Sequence, residues 1–313
     1  MALTDFKAFR PLGFIAIPIH LFGAKHSNFA INNPDEHASG KAVAFPGDAT
    51  VTAITSTTSP QGSGYQVTFF PCREFKSYLF HLGTISATLQ RAFDAAQPIC
   101  QDFTFDASGT VKKCEAKLGL AVKSGDPVGG SDSFGGVDWG GVDYRVTTSY
   151  ANATRYDGDY AHYVSPVSYL SANLKTKMID KLGSFDGEVK RTVEPRVGQL
   201  DEDVPSTAQG NWFIGDQSFK NSQDFSPFLA LRHDYVDPTQ PEFSMGTSVA
   251  GVAKGLYSFT VATDGLTNRD FTDVKPDGQL YCYHQFLTGR SVGHLPLSSV
   301  SGVGSSSGRS TNA

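Results

Sequence analysis

A chain of 313 residues, 39% hydrophobic and 12% aromatic, is long enough for two domains with cores of their own. Its formal net charge of -5 and pI near 5.9 exclude the basic footprint of a nucleic-acid binder, and no apolar run reaches the ~20 residues of a membrane-spanning helix. Charged residues are 18% of the chain and glycines number 32, a balance found in loop-rich β proteins and common among secreted ones.

The first apolar stretch, Leu12 to Phe22, is interrupted by Pro18 and His20, and what precedes it lacks the charged start and small-residue cleavage site of a secretory signal. The expectation is an extracytoplasmic or secreted protein with no signal peptide in this chain. His20 and His26 lie on either side of a turn, and Asn32 to Gly40 is a loop by its turn residues. Ala49 to Ser56 alternates small and β-branched residues as a half-buried strand does. Ser59 to Gly64 reads as a hairpin connection to a strand over Tyr65 to Phe70, with Lys76 to Leu82 as its antiparallel partner carrying His81.

Leu89 and Phe93, with Ala92 and Ala96, suit a short amphipathic helix over Ser86 to Ala96. Strands follow at Asp102 to Phe105 and Cys114 to Val122, then a turn over Lys123 to Gly130. The next strand, Phe134 to Arg145, has glycines that imply close approach of another backbone or a ligand. Within it Asp138 and Asp143 flank Trp139. Two readings stand: carboxylates and an aromatic platform in a carbohydrate or peptide cleft, or turn carboxylates beside a core tryptophan.

Val164 to Leu182 is predicted as the longest helix, with Pro166 near its start, Leu170, Leu174, Met178 and Leu182 at i+4 spacing, and Gly183 as its stop. Residues 1–183 therefore form the first predicted domain, with a polar linker opening the second. Five short strands are expected in residues 184–297: Thr207 to Ile214, Phe228 to Tyr235, Glu242 to Ser248, Gly255 to Val261 and Gly278 to His284. Their spacing predicts a small β barrel or sandwich. Residues 298–313 are Ser/Gly-rich and read as a disordered tail.

The four cysteines form no CxxC pair, which excludes a zinc knuckle or thioredoxin-like motif. Cys100 and Cys114 could close a modest disulfide loop in an oxidising compartment; four buried reduced thiols are the other reading. Asn152-Ala-Thr154 is a glycosylation sequon. A Ser/His/Asp relay from Ser206 or Ser244 with His233 and Asp234 fails, because adjacent His and Asp on a strand point to opposite faces. Asn268, Asp270, Asp273 and Asp277 do not match a calcium-loop spacing and read as solvated turn acids.

Three segments of the first domain carry a family resemblance. Lys41-Ala-Val-Ala-Phe-Pro-Gly-Asp-Ala-Thr-Val-Thr resembles the opening of the lysostaphin-like zinc peptidoglycan endopeptidases, which have a duplicated hybrid motif fold. Tyr78-Leu-Phe-His81-Leu is similar to their Tyr-x-His-Leu strand, and Lys123-Ser-Gly-Asp-Pro-Val-Gly129 to their glycine-rich turn. The resemblance spans roughly His20 to Arg145. It implies zinc held by His, Asp and His, with two further histidines at the tetrahedral intermediate. His26 falls at the first ligand position, but Ala30 stands where the carboxylate belongs. His81 matches a non-ligand histidine, and Val137-Asp138-Trp139-Gly140 occupies the His-x-His strand.

The expected fold is thus all-β with a few short helices: a lysostaphin-like β-sheet domain followed by a small β barrel or sandwich. The expected function is a non-catalytic binding or scaffold protein that retains a groove for a cell-envelope glycan or peptide, or for a protein, with no cofactor. Groove candidates are His20, His26, His81, Asp138, Trp139 and Asp143. One alternative is a metal-dependent hydrolase with zinc on a rearranged set that includes His26 and Asp138, and with His81 as a catalytic candidate. Another is a structural subunit that self-assembles into a homo-oligomer through strand edges.

Overall fold

The structure, a computed structural model, describes residues 1–17, 20–31, 40–60, 62–104, 109–132, 136–156, 158–216, 218, 228–246, 252–284 and 286–287. The chain divides into two compact units, each built from three segments. The first comprises Met1–Pro11, His26–Thr147 and His162–Lys190; the second takes Leu12–Lys25, Thr148–Ala161 and the described residues from Arg191 onward. The contiguous division expected at 183/184 lies close to the last of these crossings. It does not register the four earlier ones, which bound residues 12–25 and 148–161, because a short segment that changes unit carries no composition shift.

In the first unit the chain forms β1 (Phe6–Arg10), β2 (Ser27–Ile31), β3 (Ala42–Ala44), β4 (Ala49–Ser59), β5 (Gly62–Cys72), β6 (Phe75–Ile85), α1 (Ala87–Ala95), β7 (Ile99–Thr104), β8 (Thr110–Val122), β9 (Pro127–Ser131), β10 (Gly136–Asp143), β11 (Tyr163–Val164) and α2 (Ala172–Ile179). They make one large antiparallel sheet of order β1-β2-β10-β6-β5-β4-β8-β7, with β11 on β10 and the short β3 and β9 joined through β6. β4, β5 and β6 form the expected meander, in which Ile54 pairs with Val67 and Val67 with Leu79, all three buried. Ser86 caps α1 by accepting from the Leu89 amide, and Leu89 and Phe93 are its buried residues.

An aromatic cluster consolidates the β1-β2-β10 end of the sheet. The Phe29 ring lies 5.0 Å from Phe6, 4.7 Å from Phe9 and 6.0 Å from Trp139, on which it stacks. Burying each such side chain contributes about 1.5–3 kcal/mol. β1 and β2 are strands that periodicity did not announce, because nearly every residue in them is buried and no polar alternation remains to mark a face. Cys100 and Cys114 stand opposite each other on β7 and β8 and are joined as a disulfide, whereas Cys72 and Cys282 are free and exposed.

The long helix expected over Val164 to Leu182 is broken. The 3-10 turn Pro166–Tyr169 ends at Leu170, which is extended like Ser171 after it, and the α-helix covers only Ala172–Ile179. The i+4 row does not share one burial: Leu174 is exposed while Met178 and Leu182 are buried. No single apolar face therefore holds these residues together as one helix.

The second unit is an antiparallel sheet of four strands, β12 (Gly210–Trp212), β13 (Leu229–His233), β14 (Pro241–Met245) and β15 (Gly255–Ser258), extended by the two-residue β16 (Phe286–Leu287). It does not close into a barrel among the described residues. Thr207 to Ile214 contributes only three strand residues, and Gly278 to His284 contributes an isolated bridge from Thr267 to Cys282 instead of a strand. The core is aromatic: Phe243, Phe259 and Phe271 with Met245 in one cluster, Phe22 and Phe228 with Ala230 in another. The tail expected at 298–313, the loop over residues 32–39 and the end of the strand expected at Glu242 to Ser248 lie outside the described residues.

Candidate functional site: a buried histidine-aspartate network

Register across the first unit's sheet sets the site. Asp138 on β10 pairs with Asn28 on β2, and Asn28 pairs with Arg10 on β1, so three polar side chains form one rung. Directly opposed residues share a sheet face. The Arg10 guanidinium Nε donates to Asn28 Oδ1 at 3.2 Å, and Asn28 Nδ2 donates to Asp138 Oδ1 at 2.8 Å. Gly136 makes room for the Asn28 amide, since a Cβ there would lie 2.6 Å from Nδ2.

His81 reaches this rung through a bulge. Between the pairs Val67–Leu79 and Tyr65–Leu82, β6 carries one more residue than β5, and burial along β6 switches from odd to even positions there. His81 sits in that gap with φ +59°, in the left-handed region. An uninterrupted alternation would have turned its ring to the core face of Leu79. The bulge instead stacks it against Phe80, whose ring centroid is 4.2 Å away, and Phe80 is the residue opposite Asp138. At the same place β6 exchanges its neighbour β10 for β9, and the His81 carbonyl accepts from the Asp132 amide at 2.9 Å.

The imidazole of His81 lies between two buried carboxylates. Nδ1 is 3.1 Å from Asp132 Oδ2, and Nε2 is 3.3 Å from Asp138 Oδ2. Carboxylates only accept, so this setting favours the doubly protonated ring, which can turn an N–H toward each of them. Burial acts against that charge, but the hydrogen bond to Asp132 and the charges of Asp138 and Asp132 outweigh burial and the opposing charge of Arg10, raising the His81 pKa above 6.5. His26, at the entrance to β2 on the side of Asn28, places Nδ1 3.3 Å from Asp138 Oδ1 and 3.4 Å from the Ser27 carbonyl. Asp138 is nearly inaccessible. Burial alone would raise its pKa, yet the charges of His26 and His81 with the hydrogen bonds from His26 and Asn28 hold it well below the ordinary 3.8.

Stability should follow pH accordingly. Because the folded His81 pKa is raised, its contribution is complete below the ordinary value of 6.5 and is lost as pH rises from there through the raised value. The depressed Asp138 works the other way, contributing above 3.8 and losing that contribution as pH falls. Urea midpoints measured from pH 4 to 9 should decline on the alkaline side, and His81→Gln should flatten that limb. An unchanged alkaline limb in the variant would show that another group controls it.

Of the residues singled out in the sequence, His26, His81 and Asp138 converge. Trp139 does not join them: it is buried on the opposite face of β10, stacked on Phe29, with Nε1 donating to Ser77 Oγ at 3.0 Å. Adjacent strand residues point to opposite faces, so the carboxylate and the indole cannot line one cleft. Asp143 belongs to a separate cluster, bound by both Nε and Nη2 of Arg145 at 2.8 and 2.9 Å and by the Tyr169 hydroxyl at 2.6 Å; these bonds depress its pKa. His20 belongs to the second unit, where its ring meets Phe14 edge-on at 5.6 Å.

Sequence reading missed Asp132, Asn28 and Arg10. Asn28 carried a usable signal, two residues from His26 and hence on its side of a strand; Asp132 carried none. In the second unit His233 Nε2 is 2.9 Å from Asp270 Oδ2 instead of Asp234, which caps the Val236 and Asp237 amides, while the buried Ser244 hydroxyl donates to the Leu21 carbonyl. No Ser/His/Asp relay forms from these residues. Asp273 pairs with Arg269, and Asp277 accepts from the Gln279 amide and the Tyr281 hydroxyl, as turn acids do.

The residues present do not fit a zinc ion as they stand. Zinc needs neutral imidazoles with a lone pair aimed at the metal, and the His81 nitrogens both face carboxylates. Among the described residues no group of three or more His, Cys, Asp and Glu side chains is arranged to hold a metal ion. Comparison of the chain with family models, curated proteins and solved structures finds no match.

Proposed function

We propose that this chain is a non-catalytic binding or scaffold protein whose first unit engages a cell-envelope glycan or peptide on the face bearing Tyr78, Phe80 and His81. The observation that carries this reading is the close pairing of His26 and His81 with Asp138, and of His81 with Asp132. A general base needs an accessible lone pair and a hydrolytic metal needs an open ligand set; a ring with each nitrogen against a buried carboxylate supplies neither. The network is suited to holding a surface in shape. That surface has aromatic character: Tyr78 and Phe80 are partly exposed, and the Tyr78 ring lies across Gly140, where a Cβ would collide with it at 2.1 Å. Partly exposed rings beside fixed charges suit the apolar faces and hydroxyls of a sugar. The motif resemblance to lysostaphin-like endopeptidases adds the ligand class.

Sedimentation with purified peptidoglycan sacculi tests this. The protein should be retained, and Tyr78→Ala should lose about tenfold in affinity with its unfolding midpoint little changed. No retention of the wild type retires the glycan reading. The second reading, a metal-dependent hydrolase with a rearranged zinc site, rests on the convergence of His26, His81 and Asp138. It requires His81 to leave one carboxylate. Calorimetric zinc titration of wild type and His81→Ala separates the two: binding tighter than about millimolar that disappears in the variant favours the hydrolase.

A further inference from the structure

We propose that β7 is a docking edge for a second copy of this chain, closing as an antiparallel β7-to-β7 pair with Gln101 on the two-fold axis. A sheet edge exposes unpaired N–H and C=O groups, and proteins defend such edges with Lys, Pro, bulges or covering chain. The β1 edge is covered: Phe9 exchanges hydrogen bonds with Lys181 and Gly183. β7, at the other end of the sheet order, has none of these defences among the described residues. Its partner among the described residues is β8 alone, its register runs without a shift from Ile99 to Thr104, all six residues are exposed, and no Lys, Arg or Pro occurs in it. It also shows two large apolar side chains, Ile99 at 74% and Phe103 at 37% exposure.

Backbone geometry selects the register. The Cα atoms of Cys100 and Cys114 are 4.0 Å apart, the close spacing of a non-hydrogen-bonded pair. Residues 99, 101 and 103 therefore bond to β8, while the N–H and C=O groups of Cys100, Asp102 and Thr104 point to the free edge. A second β7 laid antiparallel with Gln101 opposite Gln101 sets Cys100 against Asp102 of the second copy, where both can exchange bonds. On the side shared by residues 99, 101 and 103, Ile99 then meets Phe103 of the second copy, and symmetry repeats the contact. The charge pattern agrees. Asp102, the one charge on β7, faces Lys112 across the β7–β8 pair and stands clear of its own copy, whereas centring on Asp102 would oppose two carboxylates. Such self-pairing uses the edge in both copies and stops at a dimer.

Sedimentation equilibrium of the full chain across a concentration series tests this, with Phe103→Lys and a Gln101→Glu/Gln101→Lys set. The wild type should show a monomer–dimer equilibrium. Phe103→Lys, with circular dichroism unchanged, should weaken it at least about tenfold because the substitution acts twice. Gln101→Glu should weaken it about fivefold by opposing two carboxylates on the axis, and mixing it with Gln101→Lys should restore pairing. Wild type that stays monomeric at every concentration overturns the edge pairing. So does a dimer indifferent to these substitutions, or an assembly larger than two.

Discussion

Asp138→Ala is expected to destabilise the protein by about 3–5 kcal/mol, the scale for removing one partner from a buried, hydrogen-bonded ion pair. Asp138 accepts from Asn28 and faces both His26 and His81, so its loss takes a partner from three side chains at once. His81 keeps Asp132 but loses the second carboxylate that helps hold it charged. Urea unfolding at pH 6 should therefore show the full loss. The deficit should shrink as pH rises above 6.5 through the raised His81 pKa, where the wild-type ring also gives up its proton. Asp138→Asn keeps the volume and one acceptor and should lose less, with a lowered His81 pKa visible by NMR titration. A loss below about 1 kcal/mol in Asp138→Ala would mean that the network is solvated and not a closed unit.

Trp139→Ala carries an expected cost of similar size, about 3–5 kcal/mol, for a different reason. The indole is buried against Phe29, and its Nε1 proton is received by Ser77 Oγ, which in turn donates to the Gly140 carbonyl at 2.8 Å. Truncation opens a cavity between β2, β10 and β6 and removes one member of a buried hydrogen-bond chain. Trp139→Phe, which keeps most of the packing, should recover the greater part of the stability. Sacculus binding per folded molecule should be unchanged in Trp139→Phe. A variant that folds with wild-type stability but loses binding would return Trp139 to the ligand surface.

Both experiments bear on one division of labour in β10. Its even and odd residues separate a polar rung from an aromatic core, so neighbouring positions differ in what they do. Asp138 is charged and networked, Trp139 is packed, and Gly140 leaves space for a ring on the Asp138 side. Treating the glycine-flanked Asp138–Trp139–Asp143 run as one cleft overlooks that alternation, and Asp143 has its own partners in Arg145 and Tyr169.

Features that depend on local pattern are legible in the chain alone. The alternation of β4, the hairpin into β5, the partner strand β6 and the Ser86-capped α1 all bury one face and leave a period that can be read. The pairing of Cys100 with Cys114 was one of two open readings, and motif order brought out His26, His81 and Asp138. Tertiary structure decided the rest, because the deciding terms are non-local. β1 and β2 are buried on both faces and lose the period; the helix predicted over 164–182 has no common surface to bury; segments 12–25 and 148–161 change unit without a change in composition. Asn28 meets Asp138 across 110 residues through strand register, and a single extra residue in β6 turns His81 out of the core and onto two carboxylates. Composition can supply histidines and aspartates, but only register and a bulge can set them 3.1–3.3 Å apart and make each the other's counter-charge.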